Sequence, residues 1–169
     1  SFKELVEEDA KGKKNYCYTV NENGNVAIAP IINPRITKRN AEVVKVVLDN
    51  GEEITCTPDH KFMLRDGTYK EAQYLNTEDS LTPLYRQFSR LGKRITIEGY
   101  EMVYDQKRNF WIFTHLLSDK YNLHNDIYLE SSGVQRHHKD FNKLNNNPDN
   151  IIRMSKEGHF KLHQEIANT

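Results

Sequence analysis

The chain has 169 residues, with 24 Lys and Arg against 24 Asp and Glu, so its formal charge is zero with His neutral. That length admits one compact domain or two small ones. No apolar run approaches the ~18 residues of a membrane span and no signal peptide is visible, so a soluble, cytoplasmic protein with no membrane partner is expected. The neutrality is uneven: up to Tyr85 there are 11 basic and 14 acidic residues, and beyond it 13 and 10, with six of the seven histidines. An anionic partner suits the second half better.

In chain order, "SFKELVEEDAKG" has helical spacing. "NYCYTVNENGNVAIAPIINPRITK" then reads as a hairpin, because Asn23-Gly24 accepts the positive φ of a tight turn. "AEVVKVVLDNGEEITCTPDHKFML" repeats the pattern: β-branched residues from Val43 to Val47, a turn at Asp49-Asn50-Gly51, then Ile54 to Thr57 and Phe62 to Leu64. A further turn follows at Asp66-Gly67, and "YKEAQYL" around Ala72 has helical spacing. The first half is therefore expected to be mostly antiparallel β. Cys17 and Cys56 fall in predicted strands, outside any C-x-x-C or zinc-like spacing. Both are expected to be buried free thiols, suited to a reducing compartment.

"RQFSRLGKR" reads as a basic connector. Alternation from Ile95 to Tyr104 and from Phe110 to Phe113 predicts two strands with a polar turn at residues 105–109, with Phe110 and Trp111 in the core. A helix from His115 to Tyr121 presents Leu116, Leu117 and Tyr121 on one face. His137-His138 ends an extended segment, Asn145-Asn146-Asn147-Pro148 forms a loop, and residues 150–154 form a short strand. Ser155 caps a helix carrying His159 and His163, with Glu157 in its first turn. The pattern is β-β-α.

Adjacent residues of a strand point to opposite faces, so His137 and His138 are not expected to serve one identical role. Asn150, twelve residues after His138, starts the returning strand within reach across the hairpin, and His159 lies on the helix packed beneath it. Such a layout presents one metal ligand from the strand, one from the helix and a separate base beside them. Asp140 is open to two readings, a further ligand or a turn residue, of which the turn is favoured, and His163, one helical turn past His159, is read as a supporting or phosphate contact rather than a ligand.

Two resemblances sharpen these readings. The stretch "TCTPDHKFMLRDGTYKEAQYLNTEDSLTPL", with "VVKVVLDNGEEI" before it, resembles the second conserved block of HINT domains, the protein-splicing fold of inteins, and looks most like inteins found in the B subunit of bacterial DNA gyrase. The resemblance covers roughly residues 1–86. It implies that His60 hydrogen-bonds the upstream junction amide and later protonates its nitrogen, while Thr57 helps hold the attacked carbonyl, which is acyl transfer with a positioned acid and donors. The ends depart from the family pattern. "SFKELVEE" corresponds to a helix slightly downstream of the nucleophile-bearing first block, so Ser1 is not read as the nucleophile, and in "EIANT" Ala167 replaces the His expected before Asn168-Thr169. Protein splicing is not expected from this chain alone.

"HHKDFNKLNNNPDNI" and the later His159 resemble the His-Asn-His order of HNH homing endonucleases, over roughly residues 95–163. The resemblance implies a catalytic set of His138, Asn150 and His159. His137 and His159 would hold one divalent ion, Mg²⁺ or Mn²⁺. His138 would deprotonate the attacking water in its neutral form, and Asn150 would orient it. Double-stranded DNA is the implied partner, with Arg86, Arg90, Lys93, Arg94, Arg136, Lys139, Lys143 and His163 as candidate contacts; Arg35, Lys38 and Arg39 form a weaker basic run.

The combined expectation is an α+β chain: a β-rich, incomplete HINT module (1–86), a basic connector (87–94) and a ββα-metal nuclease domain (95–169). Its function would be that of an intein-associated HNH homing endonuclease, cytoplasmic and on the nucleoid when bound to DNA. The alternatives are a split-intein fragment that splices only with complementary segments, or a DNA-binding module with a relict nuclease. The host protein would resemble the B subunit of gyrase.

Overall fold

A computed structural model of the chain describes residues 1–92 and 95–167; Lys93, Arg94, Asn168 and Thr169 lie outside the described residues. The architecture is α+β, with helices and small antiparallel sheets. Two compact units divide the chain, and they are not consecutive blocks. One comprises residues 1–34 together with 85–169, and the other residues 35–84.

The larger unit opens with helix α1 (Phe2–Ala10) and the hairpin of β1 (Tyr16–Val20) and β2 (Val26–Pro30). Gly24 takes φ 77° in the connecting turn, as its sequence predicts.

The smaller unit holds two hairpins, β3 (Val44–Val47) with β4 (Glu53–Cys56), and β5 (Lys61–Met63) with β6 (Tyr69–Glu71). Gly51 and Gly67 supply the positive φ of their turns. The stretch around Ala72 departs from its helical spacing: Tyr69–Glu71 is strand, and only Ala72–Tyr74 turns, as a single 3₁₀ turn. The backbone N–H of Ala72 bonds to the carbonyl of His60, which closes that turn onto the β5 end of its own hairpin.

Back in the larger unit, β7 (Arg86–Phe88) pairs with β8 (Glu101–Asp105), which pairs with β9 (Phe110–Phe113). The basic connector is thus partly an edge strand, because "RQF" finds ladder partners in β8. Helix α2 (Thr114–His124) follows without a break. Val103, Ile112 and Leu117 form the apolar centre, and Tyr18, Val26, Ile28 and Leu116 pack against it. The first hairpin therefore completes the core of the C-terminal elements. Phe110, expected in the core, is half exposed at the start of β9.

The cysteine expectation also needs correction. Both thiols are free, but Cys17 is exposed and Cys56 only partly covered. Cys17 lies on the outward-facing phase of β1, whose inward positions are Tyr16 and Tyr18.

The last elements are β10 (Gln135–His138), β11 (Ile151–Met154) and α3 (Lys156–Ala167). β10 and β11 pair antiparallel, with His137 opposite Ile152 and His138 opposite Ile151. The Ser155 hydroxyl accepts from the backbone N–H of Gly158 at 3.0 Å, the predicted cap of α3. Gly133 enters this hairpin at φ 144°, where a Cβ would lie 2.1 Å from the Met154 carbonyl.

Most of the buried face of α2 is polar: Thr114, His115, Ser118, Asp119 and Asn122 line it with Leu117. The sequence reading put Leu116, Leu117 and Tyr121 on one face without the polar residues beside them; of the three, Leu117 is buried and Leu116 and Tyr121 are partly buried. The physical reason is the loop that α2 covers. Buried carbonyls need donors; the Asn122 amide donates to the carbonyls of Pro148 (2.9 Å) and Ile151 (3.3 Å), and the Ser118 hydroxyl donates to that of Asn146. Asp119 accepts two hydrogen bonds from Arg153 (2.6 and 2.8 Å), one from Arg136 (3.0 Å) and one from the Tyr128 hydroxyl (2.9 Å). Burial pushes its carboxyl upward, but these hydrogen bonds prevail and hold it below the ordinary carboxylate value.

Candidate metal and proton-transfer site

β10 delivers its two histidines to opposite sides, as strand alternation requires. On one side, His137 meets His159 and His163 of α3, with ring centroids 5.3 and 5.2 Å away. His159 and His163 lie one helical turn apart, their rings at 4.5 Å. One ligand-capable nitrogen from each of the three lies within 4.8 Å of the others. Phe141, in the left-handed conformation at φ 60°, places its ring 4.7 Å from that of His137 and walls the cluster.

Three imidazole nitrogens fit a transition-metal dication better than Mg²⁺, which prefers oxygen ligands. Nε2 of His137 is buried without a hydrogen-bond partner among the described residues, which is costly for a polar atom unless something else satisfies it. Burial, then the neighbouring imidazoles, push His137 below the ordinary imidazole value; burial and His163 do the same to His159. Both effects favour the neutral, ligating form of the ring. His163 thus stands beside His137 and His159 as a third candidate ligand, a place that sequence reading gave to a supporting contact.

On the other side of β10, the ring of His138 is packed by Tyr100 and His115, at centroid distances of 6.1 and 5.7 Å. Its Nε2 lies 3.1 Å from Oδ1 of Asn146. Asn150 has different work. Its amide donates to Asp140 Oδ1 (2.8 Å) and to the Asn145 carbonyl (2.8 Å), and its Oδ1 accepts from the backbone N–H of Asp140. Asn150 therefore locks the turn that follows β10, and the side chain reaching His138 is that of Asn146. Asp140 is the turn residue expected: bonds from the Asn145 side chain, the Asn142 backbone and the Asn150 side chain hold its carboxyl below the ordinary value.

Of the basic candidates, Arg136 is engaged with the buried Asp119, and Arg86 pairs with Glu101 at 3.1 Å while its side chain remains exposed. Arg90 is exposed. The ammonium groups of Lys139 and Lys143, both after β10, donate to the carbonyls of Asp149, within the same loop, and of Glu98, just before β8. Lys93 and Arg94 fall outside the described residues. Thr57 and His60 belong to the smaller unit, at the turn from β4 to β5. There the His60 N–H bonds to the Thr57 carbonyl at 3.0 Å, the Thr57 side chain bonds to Asp59, and His60 is exposed beside Phe62.

Sequence reading missed Asn146, Glu101 and the polar face of α2. The last had a signal: His115, Ser118, Asp119 and Asn122 recur at i, i+3, i+4 and i+7, the spacing of a buried stripe.

No protein-family profile matches the chain. Over 166 residues, 98% of its length, it is 55% identical to part of the B subunit of a DNA gyrase from Synechocystis sp.. The likeness is to a segment. The chain spans about 15% of that relative's length, which is consistent with an insertion in the B subunit of a gyrase.

Proposed function

We propose that this chain is the nuclease-bearing part of an intein, an HNH-type endonuclease that hydrolyses DNA phosphodiester bonds with one divalent ion, joined to part of a HINT splicing domain. The observation that carries the reading is the division of labour at β10. His137 faces two helix imidazoles with an unsatisfied Nε2, while its neighbour His138 faces away from them, held by an amide. A structural histidine cluster would give no reason for that second, separately positioned imidazole. The partial match to a gyrase supports the gyrase-type host that the splicing-block resemblance implies.

In this reading His137, His159 and His163 hold the ion. The bound ion supplies positive charge for the phosphoryl group and the departing 3′ oxygen. His138 takes the proton of the attacking water, and Asn150 keeps the hairpin turn rigid so that both faces of β10 stay in place. Arg90, Lys139 and Lys143 offer charge to the phosphate backbone of a DNA duplex. Thr57 and His60 are the remaining splicing-block groups.

The test is cleavage of a supercoiled plasmid carrying the gyrase coding sequence without this segment, with Mg²⁺ or Mn²⁺. His138→Ala should lower the rate by ~10²-fold or more while Mn²⁺ binding by calorimetry is retained. His137→Ala, His159→Ala and His163→Ala should each weaken the ion and be partly rescued by raising its concentration. Cleavage that survives chelation, or wild-type rates in His138→Ala, would sink the proposal.

A further inference from the structure

Asn146 is held on every side. Its carbonyl accepts from the Ser118 hydroxyl, and its backbone N–H donates to the Leu144 carbonyl at 3.1 Å. Its side-chain Nδ2 faces Glu101 Oε2 at 3.3 Å and the Leu144 carbonyl at 3.4 Å. A carboxylate and a carbonyl have no proton to give. Turning the amide over would set Oδ1 against two acceptor oxygens, so the amide has one admissible orientation. Glu101 is itself fixed, since Arg86 bonds to Oε1 at 3.1 Å and the Tyr18 hydroxyl to Oε2 at 3.1 Å.

Oδ1 of Asn146, which can only accept, therefore faces His138 Nε2 at 3.1 Å. We infer that Glu101 and Asn146 form a clamp that sets the tautomer of His138, placing its proton on Nε2 and its lone pair on Nδ1, the atom at which it would accept a proton. Glu101 lies 37 residues before His138, on β8, outside the His-Asn-His pattern. Tyr18 adds β1 to the clamp, so the first hairpin takes part in positioning the base. Glu101 and Asn146 are positioning residues that act through His138. The catalytic consequence rests on the proposed nuclease reading, whereas the tautomer does not.

The two are separable by experiment. Long-range ¹H–¹⁵N spectra of the metal-free full chain at pH 8, with His138 assigned by its loss in His138→Ala, should show the Nε2–H form. Glu101→Gln lets the side chain at 101 donate as well as accept, which frees the Asn146 amide to turn. The His138 pattern should then move toward the Nδ1–H form or a mixture, and kcat for plasmid cleavage should fall about tenfold or more with KM little changed. Adding N146D to E101Q should restore both, because a carboxylate at 146 accepts from His138 and from the amide at 101. Asn146→Ala removes the acceptor and should also lose the single-tautomer pattern, which provides a second variant should E101Q fold poorly. An Nδ1–H wild type, or variants that lose cleavage while His138 keeps its tautomer, would overturn the clamp. A wild type with the Nε2–H form and no cleavage would instead count against the nuclease reading alone.

Discussion

The two compact units use polar groups in opposite ways. In residues 35–84 the hairpins rest on turn chemistry. Ala72 alone is buried there among the described residues, and Val43, Val47 and Ile54 remain at least a third exposed. In the other unit the loop that carries Asn146 and Asn150 is covered by a helix, so buried donors and acceptors must be matched one by one. Small hairpins are marginal on their own, whereas a matched buried network rigidifies what it surrounds. The unit that carries the histidine cluster is the one built on buried polar matching.

The sharpest way to break this contrast is to leave a buried charge without its partner. Asp119→Ala strips Arg153, whose side chain is 5% exposed, and Arg136 of their shared carboxylate. Removing one member of a buried ion pair costs about 3–5 kcal/mol. Urea unfolding followed through the histidine-cluster unit should show that loss. A cost below about 1 kcal/mol would mean that the Arg153 environment is wet, and that the polar face of α2 does not hold the unit together.

His115 tests the same principle through pH. Burial, then the nearby charges of His138 and Arg136, push its imidazole down to about 4, with Asp119 pulling the other way. Its Nδ1 is buried without a partner among the described residues. The unfolded chain therefore binds a proton near pH 6.5 that the folded chain refuses until about pH 4. Stability is present in full above pH 6.5 and is lost as pH falls through that window, by up to about 3 kcal/mol. His115→Phe should flatten that part of the stability profile. An unchanged slope between pH 6.5 and 4 would assign the acid sensitivity to other groups.

Gly133 bears on the entry to β10. Its φ of 144° and the 2.1 Å approach of a Cβ to the Met154 carbonyl leave no side chain room without moving β11. Gly133→Ala should cost about 1–3 kcal/mol and, under the proposed role of the histidine cluster, weaken Mn²⁺ binding by displacing His137 on the strand that follows. Full stability with weakened binding would separate the hairpin's position from its folding.

Much of the smaller unit was legible because its determinants are local. Asn50-Gly51 and Asp66-Gly67 each specify a turn regardless of what lies far away in sequence. The β-β-α order around His137, His138 and His159 was legible for the same reason, as was the opposite facing of adjacent strand residues. What stayed hidden depended on contacts distant in sequence. Tyr18 and Ile28 pack with residues about 85 positions later, so the division at residue 34 could not follow from composition. "RQF" looked like a linker because its ladder partners are in β8. Asn146 and Asn150 are chemically identical in a loop of asparagines; only the positions of Glu101 and Asp140 decide which of them reaches His138.

The smallest expected effect comes from the same kind of interaction in the other setting. Lys45 and Glu53 form an ion pair at 2.8 Å across β3 and β4, with both side chains more than half exposed. Water screens such a pair, and ordering two long side chains offsets most of the attraction, so its worth is about 0–1 kcal/mol. Glu53→Gln should therefore shift the unfolding of residues 35–84 by less than about 0.5 kcal/mol, and that shift should vanish in high salt. The Asp119 ion pairs, shielded from solvent, should keep most of their salt-independent cost under the same conditions. If Glu53→Gln proved as damaging as Asp119→Ala, the distinction between a solvated β module and a polar-cored site would fail, because Glu53 would have to be buried by something that covers β4.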